Sequence, residues 1–324
     1  MKIFFISAII CFFNLLTLQR GLYAWDVEFS SALVSNDWPS PNNWELDLGY
    51  RSDKLEWSTG IKDLVNITKE VQWQKLRIAQ IGGVINYVSP RNYAIKIAAD
   101  YGHIYDGESK EADFAENDKT DLVSLTKTKA GRGFVYDLSG AVGYRLTSTG
   151  GRCTFTPLIG GSVHEQDLRM FNGRQVCQAD VLGVFIDKVR PIHGLNNSYK
   201  AFWYGPWIGL DFNVKVEYCA YIFGGFEWHL ASYRGNGHWN LSVDSPKFSQ
   251  KAYGHGYIAI LGGNWEIWKN ISIGIVGHYR RFQTHHGRQS RRVFTDTCAI
   301  YISTRFNQVK WASYDVSATL GWRF

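Results

Sequence analysis

The last twelve residues constrain the fold most. Tyr314, Val316, Ala318, Leu320, Trp322 and Phe324 alternate with Ser313, Asp315, Ser317, Thr319, Gly321 and Arg323. A strict period of two, apolar on one side and polar on the other, suits a strand with lipid on one face and water or packed polar groups on the other. A half-buried strand of a soluble sandwich alternates too, so the remaining segments must decide.

They repeat the pattern. Tyr93, Ile95, Ile97, Ala99 and Tyr101 make one apolar face, and Tyr136, Leu138, Val142, Tyr144 and Leu146 another. Phe202, Tyr204, Ile208, Leu210 and Phe212 follow, then a long face from Val216 to Leu230, then Ile271, Ile273 and Ile275. The polar positions between them include Asp137, Arg145, Asp211, Glu217, Glu227, Asp315 and Arg323, expected to fill a narrow lumen as a salt-bridge network. Connections alternate in length. Short turns fall near Ser89–Asn92, Thr149–Gly151, Val214–Lys215 and Lys269–Asn270. Long polar segments fall near Gly107–Gly131, Arg169–Ser198, Gly235–Gln250 and His286–Asn307, with a tighter loop near Val65–Lys69. Short periplasmic turns and long extracellular loops mark an outer-membrane barrel. The expected fold is therefore all-β: a ten-stranded antiparallel transmembrane β-barrel over residues 43–324, both ends in the periplasm. Strands of about 15 to 20 residues would project beyond the bilayer, which needs only about 9 to 11.

The N-terminus fits this placement. Met1-Lys2, an apolar run from Ile3 to Leu18 and Leu22-Tyr23-Ala24 read as a cleaved signal peptide over residues 1–24, with a periplasmic segment over 25–42. The expected location is the cell outer membrane of a Gram-negative type of envelope. Aromatic residues at 15 % are heavy for a soluble domain, while 32 glycines and two methionines suit β-structure. The net charge of +6 is scattered over long loops, so no nucleic-acid partner is expected. Cys153, Cys177, Cys219 and Cys298 lack C-x-x-C spacing, which leaves disulfides in an oxidising envelope open and argues against a metal site.

Several motifs resemble the omptins, ten-stranded outer-membrane proteases: Leu55-x-Trp57, Val71-x-Trp73, the run Gly82 to Tyr87, Glu111-Ala112-Asp113-Phe114, Tyr199-Lys200 with Pro206-Trp207-Ile208-Gly209-Leu210, and Gly224-Gly225-Phe226. The layout is also similar to outer-membrane proteins of chlamydia-type (Protochlamydia) bacteria. The omptin resemblance implies a water activated between a carboxylate and a histidine. Glu111 and Asp113 would stand for the two aspartates of one wall, and Asn236 and His238 for the Asp-x-His of the other. It also implies lipopolysaccharide as an activating lipid; no other cofactor is expected. Glu111 and Asn236 depart from the aspartates of that pattern. A longer carboxylate misplaces the water, and an amide cannot stabilise an imidazolium by charge, so turnover is disfavoured. Arg288, Arg291 and Arg292 form a basic cluster suited to lipid-headgroup phosphates, because a guanidinium meets phosphate bidentately. His285-His286 point apart on a strand and lack ligand spacing. The expected function is surface binding of lipid, lipopolysaccharide, or host proteins and peptides through walls and loops. An endopeptidase using Glu111 and His238, and a narrow pore, are the alternatives.

Overall fold

The computed structural model describes residues 29–30, 42–61, 65–115, 119, 121–178, 189–217, 219–242, 246–294 and 299–324. The expected leader, most of the expected periplasmic segment and Cys298 lie outside them. Every element is a strand: β1 (Phe29–Ser30), β2 (Asn43–Ile61), β3 (Val65–Val88), β4 (Tyr93–Phe114), β5 (Leu122–Lys129), β6 (Gly133–Tyr144), β7 (Leu146–Ser148), β8 (Cys153–Gln178), β9 (Arg190–Glu217), β10 (Ala220–His238), β11 (Lys247–Trp268), β12 (Ile271–Thr284), β13 (Gly287–Phe294) and β14 (Ala299–Arg323). All pairings are antiparallel. The ring closes where β14 pairs with β2 from Arg305↔Gly60 to Arg323↔Asn43. The segments β5, β6 and β7 share one position in the ring, and β12 and β13 share another, so it has ten members.

Closure has a simple cause. Hydrocarbon offers no hydrogen-bond partner, so a spanning sheet must pair its last strand with its first. The outside carries the apolar residues that the alternation assigned to lipid: Leu48 is 69 % exposed and Val316 57 %. Tyr50, Tyr101 and Tyr314 border this belt above, and Tyr87, Tyr93, Trp265 and Trp322 below, as interfacial aromatic girdles do.

The expected long loops are mostly strand. β4 continues to Phe114 and returns as β5, β8 runs to Gln178, β10 to His238, and β13 forms a hairpin with β14. Above the bilayer both faces of a wall are wet, so backbone pairing persists while the apolar alternation fades. Lys69 accordingly stands inside β3, not in a loop, and the turn expected at Val214–Lys215 falls after Glu217. The turns at Ser89–Asn92 and near Gly151 are closed by backbone bonds, Asn92 N–H to Ser89 at 2.9 Å and Gly151 N–H to Ser148 at 2.8 Å.

Side chains cross the interior. Arg51, fully buried, donates to Asp53 through Nε and Nη2 (2.8 and 2.9 Å) and across the lumen to Asp137 at 2.6 Å. Asp137 also meets His164 at 2.9 Å and Arg280 at 3.8 Å, and Arg280 pairs with Asp315. Gln166 and Trp311 donate to Asp53 at 2.6 and 3.1 Å, tying β8 and β14 to β2. Below lies a cavity of about 260 Å³, lined by Glu45, Asp47, Lys96, Asp211 and Glu227 among others. There Lys96 bridges Asp211 at 2.8 Å and Glu227 at 3.9 Å. The lumen network expected from Asp137, Asp211, Glu227, Asp315 and Arg323 is thus present, with Arg323 on Glu266 at 2.6 Å, but Arg51, Arg280 and Lys96 are not among the cations expected for it.

Removing one partner of such a network leaves buried charge uncompensated, at about 3–5 kcal/mol. Arg51→Met should lower the stability of the refolded barrel by that order in urea titration. A change below about 1 kcal/mol would show that solvent already screens Asp137 and Asp53.

A candidate cationic surface groove

Above the network the barrel mouth holds an aromatic cluster. Trp73 stacks on Tyr199 at 5.1 Å between ring centroids, Trp57 lies 5.8 Å from Tyr199, and Trp239 packs on Phe248 at 4.8 Å. The Tyr199 hydroxyl bonds that of Tyr233 and donates to Gln250 at 2.5 Å. Leu55-x-Trp57 and Val71-x-Trp73, residues that carry the resemblance, are therefore inward residues of this cluster.

Glu111 and Asp113 meet at its rim. Lys69 pairs with Glu111 and lies 3.3 Å from Asp113. The indole N–H of Trp239 donates to both Glu111 oxygens, at 3.1 and 3.0 Å. Burial alone would lower the Lys69 pKa, yet Glu111 and then Asp113 hold it above its ordinary value. Burial raises the Asp113 carboxyl, Lys69 opposes that, and the like charge of Glu111 adds to it.

Asn236 and His238 stand elsewhere. Along β10, residues 227, 229, 231, 233, 235 and 237 are buried, while 226, 228, 230, 234, 236 and 238 are exposed. Asn236 and His238 thus share the outward face of Phe226, Trp228 and Leu230. His238 lies opposite Ser198 and Lys247. Inward, next to Glu111, comes the neighbouring Trp239. The structure brings Glu111 together with Asp113, and Asn236 with His238, but on opposite faces of the wall. The inward histidines among the described residues are His164, His229 and His278, engaged with Asp137, Glu227 and Asp315 below the aromatic cluster.

Asn236 and His238 instead line an outer groove of about 460 Å³ with Lys200, Lys247, Arg291 and Arg292. It joins half of the residues singled out for catalysis to two of the three arginines singled out for phosphate. One row below, cross-strand partners run Arg234↔Lys251, Lys251↔Arg288 and Arg288↔Arg305, all exposed. Like charges directly opposite on a sheet repel. Among the described residues no carboxylate lies within ion-pair distance of these four. Arg234 rests instead on the Tyr204 ring at 5.3 Å. Lys200 differs, being bridged to Glu165 and Asp167 at 3.6 Å each. Of this row only Arg288 stands out in the sequence, because Arg234, Lys251 and Arg305 lie far apart in the chain and only strand register aligns them.

Of the described cysteines, Cys153 and Cys219 lie at the periplasmic end and Cys177 at the other, and all three are free. No group of metal-ligating side chains occurs among the described residues.

Lys69 neutralises two carboxylates in a half-buried rim, so Lys69→Met should destabilise the mouth by about 1–2 kcal/mol near neutral pH. The Asp113 pKa is raised, so its charged form is the costly one: that cost grows as pH rises through the window above 3.8 and disappears on acidification. The deficit of Lys69→Met should therefore narrow towards pH 4 in thermal melts. A deficit independent of pH would mean that packing, not charge, is what Lys69 supplies.

Comparisons place this geometry among known proteins. Residues 45–324 match the family model described as Protochlamydia outer membrane protein. The outer membrane protease OmpT from Escherichia coli superposes with a TM-score of 0.75 at 15 % identity, over 91 % of this chain and 100 % of that one. The translocator domain of autotransporter NalP from Neisseria meningitidis gives a TM-score of 0.34 at 11 % identity, over 90 % and 91 %. No curated protein matches. At these identities the likeness to solved structures is one of fold. With the family match over most of its length, the chain belongs to the Protochlamydia outer membrane protein family and is a ten-stranded outer-membrane β-barrel.

Proposed function

We propose that the protein is a non-catalytic surface-binding barrel whose projecting outer wall holds the phosphates of outer-leaflet lipid saccharides, of which lipopolysaccharide is the chemical type. The carrying observation is the row Arg234, Lys251, Arg288 and Arg305, four cations side by side without a carboxylate among the described residues. Such a row is unfavourable unless an anion joins it, and guanidinium groups match phosphate. Lys251 stands six residues beyond Tyr257 on β11, whose ring packs on Tyr279, the cross-strand partner of the girdle residue Tyr314, which puts Lys251 about 15 Å above the acyl chains, at the level of headgroup sugars. Residues 1–24 serve as a cleaved leader for export in this reading.

Two observations weigh against the alternatives. The histidine needed to activate water faces outward at 238, away from Glu111, which favours binding over peptide hydrolysis. The aromatic cluster and the Arg51–Asp137 bridge cross the lumen, which favours a sealed barrel over a pore.

The test is a titration of refolded protein with lipopolysaccharide-containing vesicles. Replacing Arg288 and Arg305 by Ala should weaken binding about tenfold or more, because each charge-assisted contact contributes about 1.5–3 kcal/mol. Salt should weaken wild type more than the double variant. Unchanged affinity would reject the phosphate site. Cleavage of a dibasic peptide in the presence of lipopolysaccharide, lost in His238→Ala, would reject the non-catalytic reading.

A further inference from the structure

Inside the bilayer the ring has no free edge, but above it there is one. From Arg305 onward β14 has partners on both sides, β12 or β13 on one and β2 on the other. Among the described residues, Ala299 to Thr304 pair with β13 alone. β2 ends at Ile61 and its register with β14 ends at Gly60↔Arg305. Among the described residues no strand occupies the β2 side of this segment.

Free edges attract other strands, and proteins blunt them with proline, bulges or inward-pointing charge. The segment Ala-Ile-Tyr-Ile-Ser-Thr contains no proline, glycine or charge, and its pairing with β13 shows no bulge. Ile300, Tyr301 and Ile302 are 49, 75 and 38 % exposed. High β-propensity, exposed apolar side chains at 300–302 and, among the described residues, no strand on the β2 side therefore coincide in this segment.

The surroundings select the occupant. Arg291 and Arg292 are the β13 partners of Ile302 and Tyr301, and the Arg292 guanidinium lies 5.9 Å from the Tyr301 ring centroid. A second copy of this chain pairing edge to edge would bring Arg305, which stands on β14 at the end of the edge, towards its counterpart. An acidic strand would instead lie beside β14, its carboxylates facing the Arg292 guanidinium that rests over the Tyr301 ring.

We infer that the Ala299–Thr304 edge of β14 is a docking site for an extended acidic segment of another protein, which adds to the wall as a further strand. Backbone pairing supplies affinity in this mode, and alternate side chains supply selectivity. The site uses the backbone of β14 with Arg291 and Arg292, so it can fail without affecting the row proposed for phosphate.

The full-length protein, refolded in detergent micelles, is titrated with a peptide alternating Glu and Val whose carbonyl carbons carry ¹³C. Saturable binding is expected, with the labelled amide I infrared band moving to the β-sheet position. A Lys–Val peptide should bind at least about tenfold more weakly, and Arg291→Glu with Arg292→Glu should weaken the acidic peptide by a similar factor. Successive amides of a strand point to opposite edges. One of Tyr301→Pro and Ile302→Pro must therefore remove an edge donor and abolish binding. Binding with the labelled band left at the coil position, equal binding of the Lys–Val peptide, or binding kept in both proline variants would overturn the proposal. So would concentration-dependent dimerisation that the acidic peptide cannot reverse.

Discussion

The closure of β14 onto β2 is the constraint on which the rest depends. In hydrocarbon every backbone N–H and C=O must find its partner within the protein, so the sheet must become a ring. A ring of ten strands is narrow, and its inward residues meet across it. The ion network is the consequence: Arg51 of β2 reaches Asp137 of β6, and Gln166 of β8 reaches Asp53 of β2. These side chains hold opposite walls at fixed distance. The polar half of the alternation is thereby converted from a solvation requirement into a brace.

The same constraint explains where function can sit. A lumen crossed by side chains leaves the projecting walls and their rims as the most accessible surface. Above the bilayer water can satisfy free backbone groups, so an edge that would be intolerable below is tolerated at Ala299–Thr304. Charge is released in the same way. Within the lumen Lys96, Arg51 and Arg280 each face carboxylates, whereas Arg234, Lys251, Arg288 and Arg305 on the outer wall have none within ion-pair distance among the described residues. The contrast between compensated interior charge and uncompensated exterior charge is what the proposed phosphate site rests on.

The shared fold with OmpT extends to backbone architecture, with a TM-score of 0.75, while identity is 15 %. At the mouth the local chemistry is this chain's own. Lys69 stands between Glu111 and Asp113, and Trp239 donates to Glu111. A cation and an indole thus occupy the hydrogen-bonding positions beside the Glu111 carboxylate. A barrel can keep its wall geometry while the residues at its rim change role, since function resides in the site and not in the fold.

The sequence by itself determined the barrel. Period-two alternation from Tyr93 to Phe324 marked the lipid face, and alternating connection lengths gave the strand number, because each reports a local physical requirement. It also marked Asp137, Asp211, Glu227 and Asp315 as interior, since they fall at the polar phase of that alternation. Tertiary structure alone decided what these residues meet. The phase of β10 through its upper half turned His238 outward and left Trp239 beside Glu111, a choice invisible where apolar alternation has faded. Strand register aligned Arg234, Lys251, Arg288 and Arg305, which are up to 71 positions apart in the chain. Alternation is a property of one strand, whereas a site on a sheet is a property of several, and only their pairing fixes it.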